Sequence, residues 1–465
     1  MCKIPFIFLI LFFSIVSGNN LLAQLSPTKV KQLDSLLEAA HQIGVFNGNA
    51  LVSEHGKIVY HAETGYANGS KTVKLSPDHC FDIGSISKEF NSVGIMLLQE
   101  KGKLKLSDKL SKYFPELPAW AEKIQLKHLL QYTSGLPNSK ALSDTAILKE
   151  ISLLKNLQFE PGTAFDYNIS NVYLQRAIIQ KITGISYSRF VETFLLKPCK
   201  MDQSYVDKPG INTITAIPFD NNFRETIYQQ NMTGWVRLPA EDLFRWAQCL
   251  NSYKIISENS FKELSEGFPN SETSLGGTKY ENGKLIWHQH HGSNYNYEAL
   301  MYSNLQKDIT IILMTNNQNF KVHALKDAIL AILEGQPYKV PKKSIYLDIR
   351  EKVLNNFEQG IAFLNQIKAS EQNKYDFSGE KYDLVSTGKY LMRREHFDDA
   401  IKMFHLATLA NPNKEDFSYA YELIAESYYK KGSKELAIIY YKKAVEVYSE
   451  NKNAAGMLLE IAKGK

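Results

Sequence analysis

A break rich in proline and lysine divides the chain into two regions with different apolar patterns. It reads EGQPYKVPKKS and covers residues 334–344. Before it, short runs of β-branched and aromatic residues are separated by turn residues, and after it apolar residues recur at helical spacing. Because 465 residues also exceed what one compact core accommodates, we predict a mixed domain of strands and helices followed by an all-helical one.

Predicted strands lie at both ends of the first region. GNALVSEHGKIVYHAETGYAN has two apolar runs around EHGK and indicates a β-hairpin. Three later runs, KLIWHQHHG, YEALMYSN and DITIILMTNN, indicate an antiparallel meander. Helices are predicted at residues 27–43 and 322–333. We therefore predict an α/β (α+β) domain whose first and last strands meet in one antiparallel sheet, flanked by helices and interrupted by a helical insert.

The second region contains an internal repeat. YLMRREHFDDAIKMFHLATLANP aligns with YYKKGSKELAIIYYKKAVEVYSE. The matching positions are Ala400 with Ala437, Phe404 with Tyr441, and Ala407 with Ala444. The pattern resembles tetratricopeptide repeats, although the offset of 37 residues is longer than the period of that family. We predict repeats at 376–465 and a helical linker at 338–375 that packs on them, with a generic helical hairpin as the alternative.

The N-terminus has the features of a secretory signal. Lys3 precedes an apolar stretch from Ile4 to Val16, and small residues follow it. The stretch is too short to span a bilayer comfortably, and no cysteine follows it directly to carry a lipid anchor. We predict residues 1–23 as a cleaved signal, with cleavage after Gly18 or an uncleaved anchor as alternatives. The mature protein is then exported, periplasmic or secreted, and not attached to a membrane.

Cysteine content and charge argue against several classes of protein. The predicted mature chain keeps Cys80, Cys199 and Cys249, without a C-x-x-C pattern. We interpret them as small buried apolar side chains and leave a single disulfide open. The net charge of +5 is mild for this length, and no basic run is interleaved with aromatic residues. We therefore predict no nucleic-acid partner.

Ser85 and Lys88 lie in FDIGSISKEF, at the start of a predicted helix that extends to Leu98. Residues three apart share a helix face, so the Lys88 amine is expected near the Ser85 hydroxyl. A helix N-terminus favours a developing oxyanion, and a desolvated neutral lysine can activate a serine. However, Ser-x-x-Lys occurs seven times in this chain, so spacing alone does not distinguish this pair from the others.

The longer sequence around this pair, together with segments downstream, does distinguish it. FDIGSISKEFNSVGIMLLQEKGKLKLSDKLSKYFPELP is followed in order by IQLKHLLQYTSGLP, EPGTAFDYNISNVYLQRAIIQKITG and HHGSNYNYEALMY. Together they resemble the serine hydrolases related to class C beta-lactamases, DD-peptidases and esterases. The resemblance defines residues 24–337 as a predicted hydrolase domain with the fold of that family.

The resemblance implies roles for the first two family motifs. Ser85 of Ser-x-x-Lys would attack a carbonyl and form an acyl-enzyme, and Lys88 would accept its proton. The second motif, Tyr-x-Asn, falls on residues 167–169, and Tyr167 would share the proton transfer. Ile169 replaces the family asparagine that usually holds the substrate amide. Asn168, or the asparagine three residues further on, is a candidate replacement.

The third family motif is Lys-Thr-Gly in beta-lactamases and often His-x-Gly in esterase-like and peptidase-like relatives. Here it corresponds to His290 and Gly292. The resemblance implies that His290 orients the substrate, and that the backbone N–H groups of Ser85 and Ser293 form the oxyanion hole. Gly292 would let the strand backbone approach the substrate closely.

The cluster of His288, His290 and His291 raises the alternative of a zinc site. On a strand, residues 288 and 290 share a face while 291 points to the other. No second cluster of cysteine and histidine is present in the sequence to complete a closed site. We therefore predict neither a metal nor a cofactor.

Two hypotheses from different classes follow. The first is an exported serine acyl hydrolase that cleaves an amide, peptide or ester bond of a small-molecule or peptide substrate through a Ser85 acyl-enzyme. Ile169 makes true beta-lactamase activity a poor first choice. The second is a catalytically degenerate relative that binds a protein partner or signals through its helical repeats. Retention of both Lys88 and Tyr167 favours the enzyme.

Overall fold

The computed structural model describes most of the chain, namely residues 25–141, 143–208, 214–226, 232–269, 271–410 and 413–462. The predicted signal peptide lies outside the described residues. Among those described, no helix combines the length and apolar character needed to cross a membrane.

Strands in the described residues form two sheets, one large and one small. They are β1 Gly48–Glu54, β2 Lys57–Thr64, β3 His79–Asp82, β4 Tyr205–Val206, β5 Ile214–Thr215, β6 Val236–Leu238, β7 Gly277–Glu281, β8 Lys284–Asn294, β9 Tyr297–Asn304 and β10 Ile309–Thr315.

Helices surround the sheets and make up the C-terminal region. They are α1 Pro27–Gln42, α2 Ser87–Glu100, α3 Leu126–Leu130, α4 Asp144–Ser152, α5 Ile169–Thr183, α6 Tyr187–Val191, α7 Ala240–Asn251, α8 Glu258–Ser265, α9 Val322–Leu333, α10 Tyr346–Asn355, α11 Phe357–Ser370, α12 Glu380–Met392, α13 Phe397–Leu409, α14 Lys414–Lys430, α15 Lys434–Val447 and α16 Lys452–Ala462.

The large sheet has the order β2-β1-β10-β9-β8-β7, and all its pairs are antiparallel. Gly48 at the start of β1 lies opposite Thr315 at the end of β10. The prediction that the first and last strands meet is therefore confirmed, as are the hairpin of β1 with β2 and the meander from β8 to β10. A small mixed sheet of order β4-β6-β3-β5 is a further element that the sequence patterns do not reveal.

Side chains on the two faces of the large sheet belong to two separate cores. Ala50 and Val52 of β1 pack with α1 and α9, whereas Leu51 between them packs with α2, α5 and α7. This alternation follows from the two-residue period of a strand. Because both faces are covered, the sheet is the rigid support on which α2 and β8 are placed.

The helical insert contains a disulfide between Cys199 and Cys249, whose Cα atoms are 5.8 Å apart. Both residues are buried in the core, as predicted, and the single disulfide left open is the one that forms. Cys80 is free and buried, as expected. The bond joins a turn after α6 to α7, a pairing that depends on tertiary structure rather than on spacing.

The C-terminal helices fit the predicted repeats. Buried residues of α10 and α11, including Ile349 and Leu364, share one core with α12 and α13. The small residues Ala437 and Ala444 of α15 are fully buried, next to α14 and α16. Paired helices therefore pack closely at their alanines, and the linker helices belong to the same core as the first pair.

Gly388 on α12 is expected to be essential for this packing. A Cβ at Gly388 would lie 2.4 Å from the ring of Phe404, which is buried. Gly388→Val should therefore lower the free energy of unfolding by about 1–3 kcal/mol through overpacking. Urea unfolding followed by circular dichroism measures this. Gly456→Val on α16 is the matched control, because nothing lies within 4 Å of its added Cβ, and equal losses in both variants would contradict the packing argument.

Candidate active site

Ser85 lies between the end of β3 and the start of α2. A 3₁₀ turn, Gly84–Ile86, continues directly into α2. Gly84 has a φ of +53°, in the left-handed region that favours glycine, and its N–H donates to the buried Asp82 carboxylate at 2.8 Å. Ser85 therefore lies at the N-terminal end of a long helix, where backbone N–H groups have no partner within the helix.

Lys88 and Tyr167 converge on the Ser85 hydroxyl. Lys88 Nζ lies 2.8 Å from Ser85 Oγ, and the Tyr167 hydroxyl lies 2.9 Å from the same atom. The ring of Tyr167 packs on the buried ring of Tyr132, with 4.7 Å between centroids. The structure thus brings together the first two family motifs, although 82 residues separate Ser85 from Tyr167.

Burial separates the proton affinities of Lys88 and Tyr167. It lowers the pKa of Lys88 to about 8, against the opposing effect of the Glu272 carboxylate. Burial also raises the pKa of Tyr167 above its ordinary value, although the hydrogen bond to Ser85 acts in the other direction. Near neutral pH, a fraction of Lys88 is therefore an amine that can accept a proton, while Tyr167 is a phenol that can donate one.

Strand β8 passes so close to the Ser85 turn that only glycine fits at position 292. A Cβ on Gly292 would lie 1.9 Å from the Ile83 carbonyl oxygen and 2.7 Å from the Ser85 nitrogen. On the other side of this contact, a Cβ on Gly84 would lie 2.3 Å from the Ser293 nitrogen. The backbones around Ser85 and Ser293 are therefore in direct contact, which an oxyanion hole built from both N–H groups requires.

The three histidines of β8 do not face a common point. His288 Nε2 and His290 Nδ1 lie 3.0 and 2.7 Å from the same oxygen of Glu89. His291 Nε2 instead lies 3.0 Å from Glu298. The alternation expected along the strand is confirmed, and it separates His291 from the other two histidines.

Asn168 caps a helix. Its side-chain oxygen accepts from the backbone N–H of Asn171 at 3.0 Å, while its amide donates to the Leu136 carbonyl at 2.9 Å and to Asp166. Asn168 is 3% exposed. The substrate contact predicted for Asn168 is therefore replaced by a structural role at the start of α5. Ile169, the first residue of α5, has no polar side-chain group to replace the family asparagine.

A comparison with known protein families identifies the region that carries this site. The family model described as Beta-lactamase matches residues 33–336, more than half of the chain. The chain belongs to the beta-lactamase family. The match begins within α1, ends just after α9 and includes every element that positions Ser85, Lys88 and Tyr167.

Sequence relatives of this beta-lactamase family member include a penicillin-binding protein. Penicillin-binding protein 4* of Bacillus subtilis (strain 168) is 28% identical over an alignment of 363 residues that covers 69% of this chain and 79% of that protein. Protein flp of Staphylococcus aureus (strain N315) is 27% identical over an alignment of 323 residues that covers 63% of this chain and 64% of that protein. The chain therefore spans less than two thirds of the length of protein flp.

Solved structures share the fold of the beta-lactamase family region. The octameric penicillin-binding protein homologue from Pyrococcus abyssi has a TM-score of 0.56 at 22% identity, covering 70% of this chain and 81% of that chain. D-amino acid amidase from Ochrobactrum anthropi SV3 has a TM-score of 0.55 at 19% identity, covering 66% of this chain and 99% of that chain. These similarities confirm the predicted fold class, an antiparallel sheet flanked by helices.

The sequence patterns do not reveal two acidic residues at this beta-lactamase family site. Glu89 directly follows Lys88, and its only signal is that it stands among residues of α2 that are expected to be buried. Glu272 lies in the loop before β7, and its Oε1 is 3.7 Å from His290 Nε2. Nothing in the local sequence marks Glu272, because only the fold brings this loop to the site.

Proposed function

We propose that this protein is an exported serine acyl hydrolase that cleaves an amide, peptide or ester bond through an acyl-enzyme on Ser85. The observation that carries the proposal is the position of the Ser85 hydroxyl, 2.8 Å from Lys88 Nζ and 2.9 Å from the Tyr167 hydroxyl. Membership of the beta-lactamase family supports serine acyl transfer. The Cys199–Cys249 disulfide supports export, since such bonds persist in oxidising compartments.

Acylation in this proposal begins with uncharged Lys88. Its amine accepts the Ser85 proton while Ser85 Oγ attacks the substrate carbonyl carbon, and the carbonyl electrons move to the oxygen. The N–H groups of Ser85 and Ser293 donate to that oxyanion. When the intermediate collapses, the bond to the leaving group breaks, and Tyr167 donates a proton to the leaving group. Tyr167 then recovers its proton from the Lys88 ammonium, so that one proton has moved from serine to leaving group.

Deacylation repeats these steps with water. The Lys88 amine accepts a proton from the attacking water, and the ester bond to Ser85 Oγ breaks. Ser85 leaves with a proton supplied through Tyr167, which the Lys88 ammonium then replaces. The free acid is released and both side chains return to their starting protonation states.

The third motif and the position of Ile169 bear on the substrate. His290 stands where beta-lactamases carry lysine, and Ile169 lacks the amide that holds their substrate. Among the proteins of similar fold is a D-amino acid amidase. These features favour an amide, peptide or ester over a beta-lactam as the substrate.

Covalent labelling tests the proposal. A fluorophosphonate should label the wild-type mature protein on the peptide that contains Ser85, and Ser85→Ala should not be labelled. Ser378→Ala is the matched control, since Ser378 opens another Ser-x-x-Lys pattern outside the beta-lactamase family region at residues 33–336, and it should be labelled normally. Equal labelling of Ser85→Ala and wild type would refute the proposal. A protein that no acylating probe labels, but that captures a partner through residues 376–465, would establish the binding-protein hypothesis instead.

A further inference from the structure

We propose that Glu89 is a positioning residue of this site, which holds the proton of His290 on Nδ1 and thereby presents Nε2 to the substrate. The inference rests on the proposed function and assigns a role that none of the three family motifs contains. Glu89 belongs to α2, one residue after Lys88, whereas His290 belongs to β8. One carboxylate thus connects the helix that carries the nucleophile to the strand that carries the third motif.

The Glu89 carboxylate lies in a closed polar cluster. Its Oε2 accepts from Trp246 Nε1 at 2.7 Å, and its Oε1 lies 2.7 Å from His290 Nδ1 and 3.0 Å from His288 Nε2. Glu89 and His288 are fully buried, and His290 is 2% exposed. In such surroundings a charge is stable only when its hydrogen-bonding groups are satisfied.

Glu89 is an ionised acceptor in this cluster. Burial acts to raise its pKa, but His288 and His290 outweigh burial and hold the pKa at about 2. A carboxylate has only acceptor oxygens, and an indole N–H is only a donor. The contact with Trp246 therefore fixes one oxygen, and the other is available to the two imidazoles.

These contacts determine which ring nitrogens carry protons. His288 Nε2 lies between Glu89 and the Leu275 carbonyl, 3.0 Å from each. Because both partners are acceptors, this nitrogen must carry a ring proton. His290 Nδ1 lies 2.7 Å from Glu89, so this nitrogen must carry a ring proton as well. The remaining nitrogen of His290, Nε2, lies 3.7 Å from an oxygen of the Glu272 carboxylate, which is too long for a hydrogen bond, and the Glu272 side chain is 44% exposed. The nitrogen that meets the substrate is therefore selected by the hydrogen bond on the opposite nitrogen.

Glu89→Gln tests the inference because an amide has one acceptor oxygen where the carboxylate has two. If that oxygen serves Trp246, the amide NH₂ faces His290 Nδ1 and displaces its proton to Nε2. We expect kcat and kcat/KM to fall together by about 10²-fold. Nitrogen-15 NMR of histidine-labelled protein should show Nδ1 protonated in the wild type and Nε2 protonated in the variant.

Trp246→Phe provides the matched control and a rescue. It removes the competing N–H donor while keeping an aromatic ring beside Phe90, on which Trp246 stacks at 4.1 Å. Alone, it should leave the His290 proton on Nδ1 and kcat within a few-fold of wild type. Combined with Glu89→Gln, it frees the amide oxygen for His290 and should restore both the Nδ1 proton and most of kcat. A purely structural role for Glu89 predicts the opposite, since the double variant would then be worse than either single variant.

Results that would overturn the positioning role of Glu89 differ from results that would overturn the proposed hydrolase function. Wild-type protein with the His290 proton on Nε2, or Glu89→Gln with wild-type kcat, would overturn the positioning role. If Glu89→Gln does not fold, the wild-type NMR signal and the double variant decide the question. Turnover that survives Ser85→Ala would overturn the hydrolase mechanism, while the NMR signal would still report the His290 tautomer.

Discussion

Acylation of Ser85 should accelerate roughly 90-fold between pH 6 and pH 9, with an apparent pKa of about 8. The rate rises with pH because Lys88 can act as the base only when it is uncharged. Burial lowers the pKa of Lys88 to that value, so at pH 6 nearly all of Lys88 is an ammonium that cannot accept the Ser85 proton. At pH 9 most of it is an amine. Tyr167 adds no second transition in this range, because burial raises its pKa above the ordinary value.

The measurement is kcat/KM for a neutral p-nitrophenyl ester across pH 6–9, corrected for spontaneous hydrolysis. Lys88→Met should be slower by about 10³-fold and should not show the rise with pH, because the group that titrates is gone. A rise of the same size in Lys88→Met would show that another group controls the rate. A wild-type rate that falls as pH increases would contradict Lys88 as the base.

The charges that act on Lys88 offer a test within the same experiment. Glu272 and Asp82 raise the pKa of Lys88, while Arg176 and, most strongly, burial lower it. Asp82 is buried against Arg237 at 3.2 Å, but Glu272 is partly exposed and replaceable. Glu272→Gln should therefore move the rise in kcat/KM to lower pH. Glu266→Gln on the same loop is the control and should leave it in place.

How much of the fold the sequence predicts depends on the length of each element. Strands β1 and β8 to β10 are long enough to show their apolar pattern, and the bounds that the sequence predicts for α9 are those of the structure. The strands of the small sheet span two to four residues each, too short for any periodicity. Their pairing depends on tertiary contacts, as does that of Cys199 with Cys249.

Within the site, too, the sequence predicts local contacts but not those that depend on tertiary structure. The contact of Lys88 with Ser85 follows from helical spacing, whereas Tyr167 could be found only through the family resemblance. The sequence does not predict the capping role of Asn168, because its position beside Tyr167 gives no indication that its side chain turns back to cap α5. Glu272 could not be predicted at all, since a loop residue reaches the site only through the path of the folded chain.

Gly292→Ala should lower kcat/KM by at least about 10²-fold, the cost of one lost oxyanion donor. An added Cβ would meet three backbone atoms, at 1.9 Å from Ile83, 2.7 Å from Ser85 and 2.9 Å from Ile86. Backbone atoms cannot rotate away as a flexible side chain can. Strand β8 must therefore move away from the turn, and this carries the Ser293 N–H out of reach of an oxyanion bound at Ser85.

Gly277→Ala is the matched control, because it adds the same methyl group to the same sheet. Its Cβ would meet the ring of Trp287 at 3.2 Å, a side-chain contact that a small shift relieves, so kcat/KM should stay near wild type. Lys88 and Tyr167 are unchanged in Gly292→Ala, so the apparent pKa of about 8 should persist while the plateau falls. Loss of the oxyanion donor thus lowers the rate at every pH, whereas loss of the base removes the pH dependence. A Gly292→Ala variant with the wild-type plateau would show that acylation does not need the close contact of β8 with the Ser85 turn.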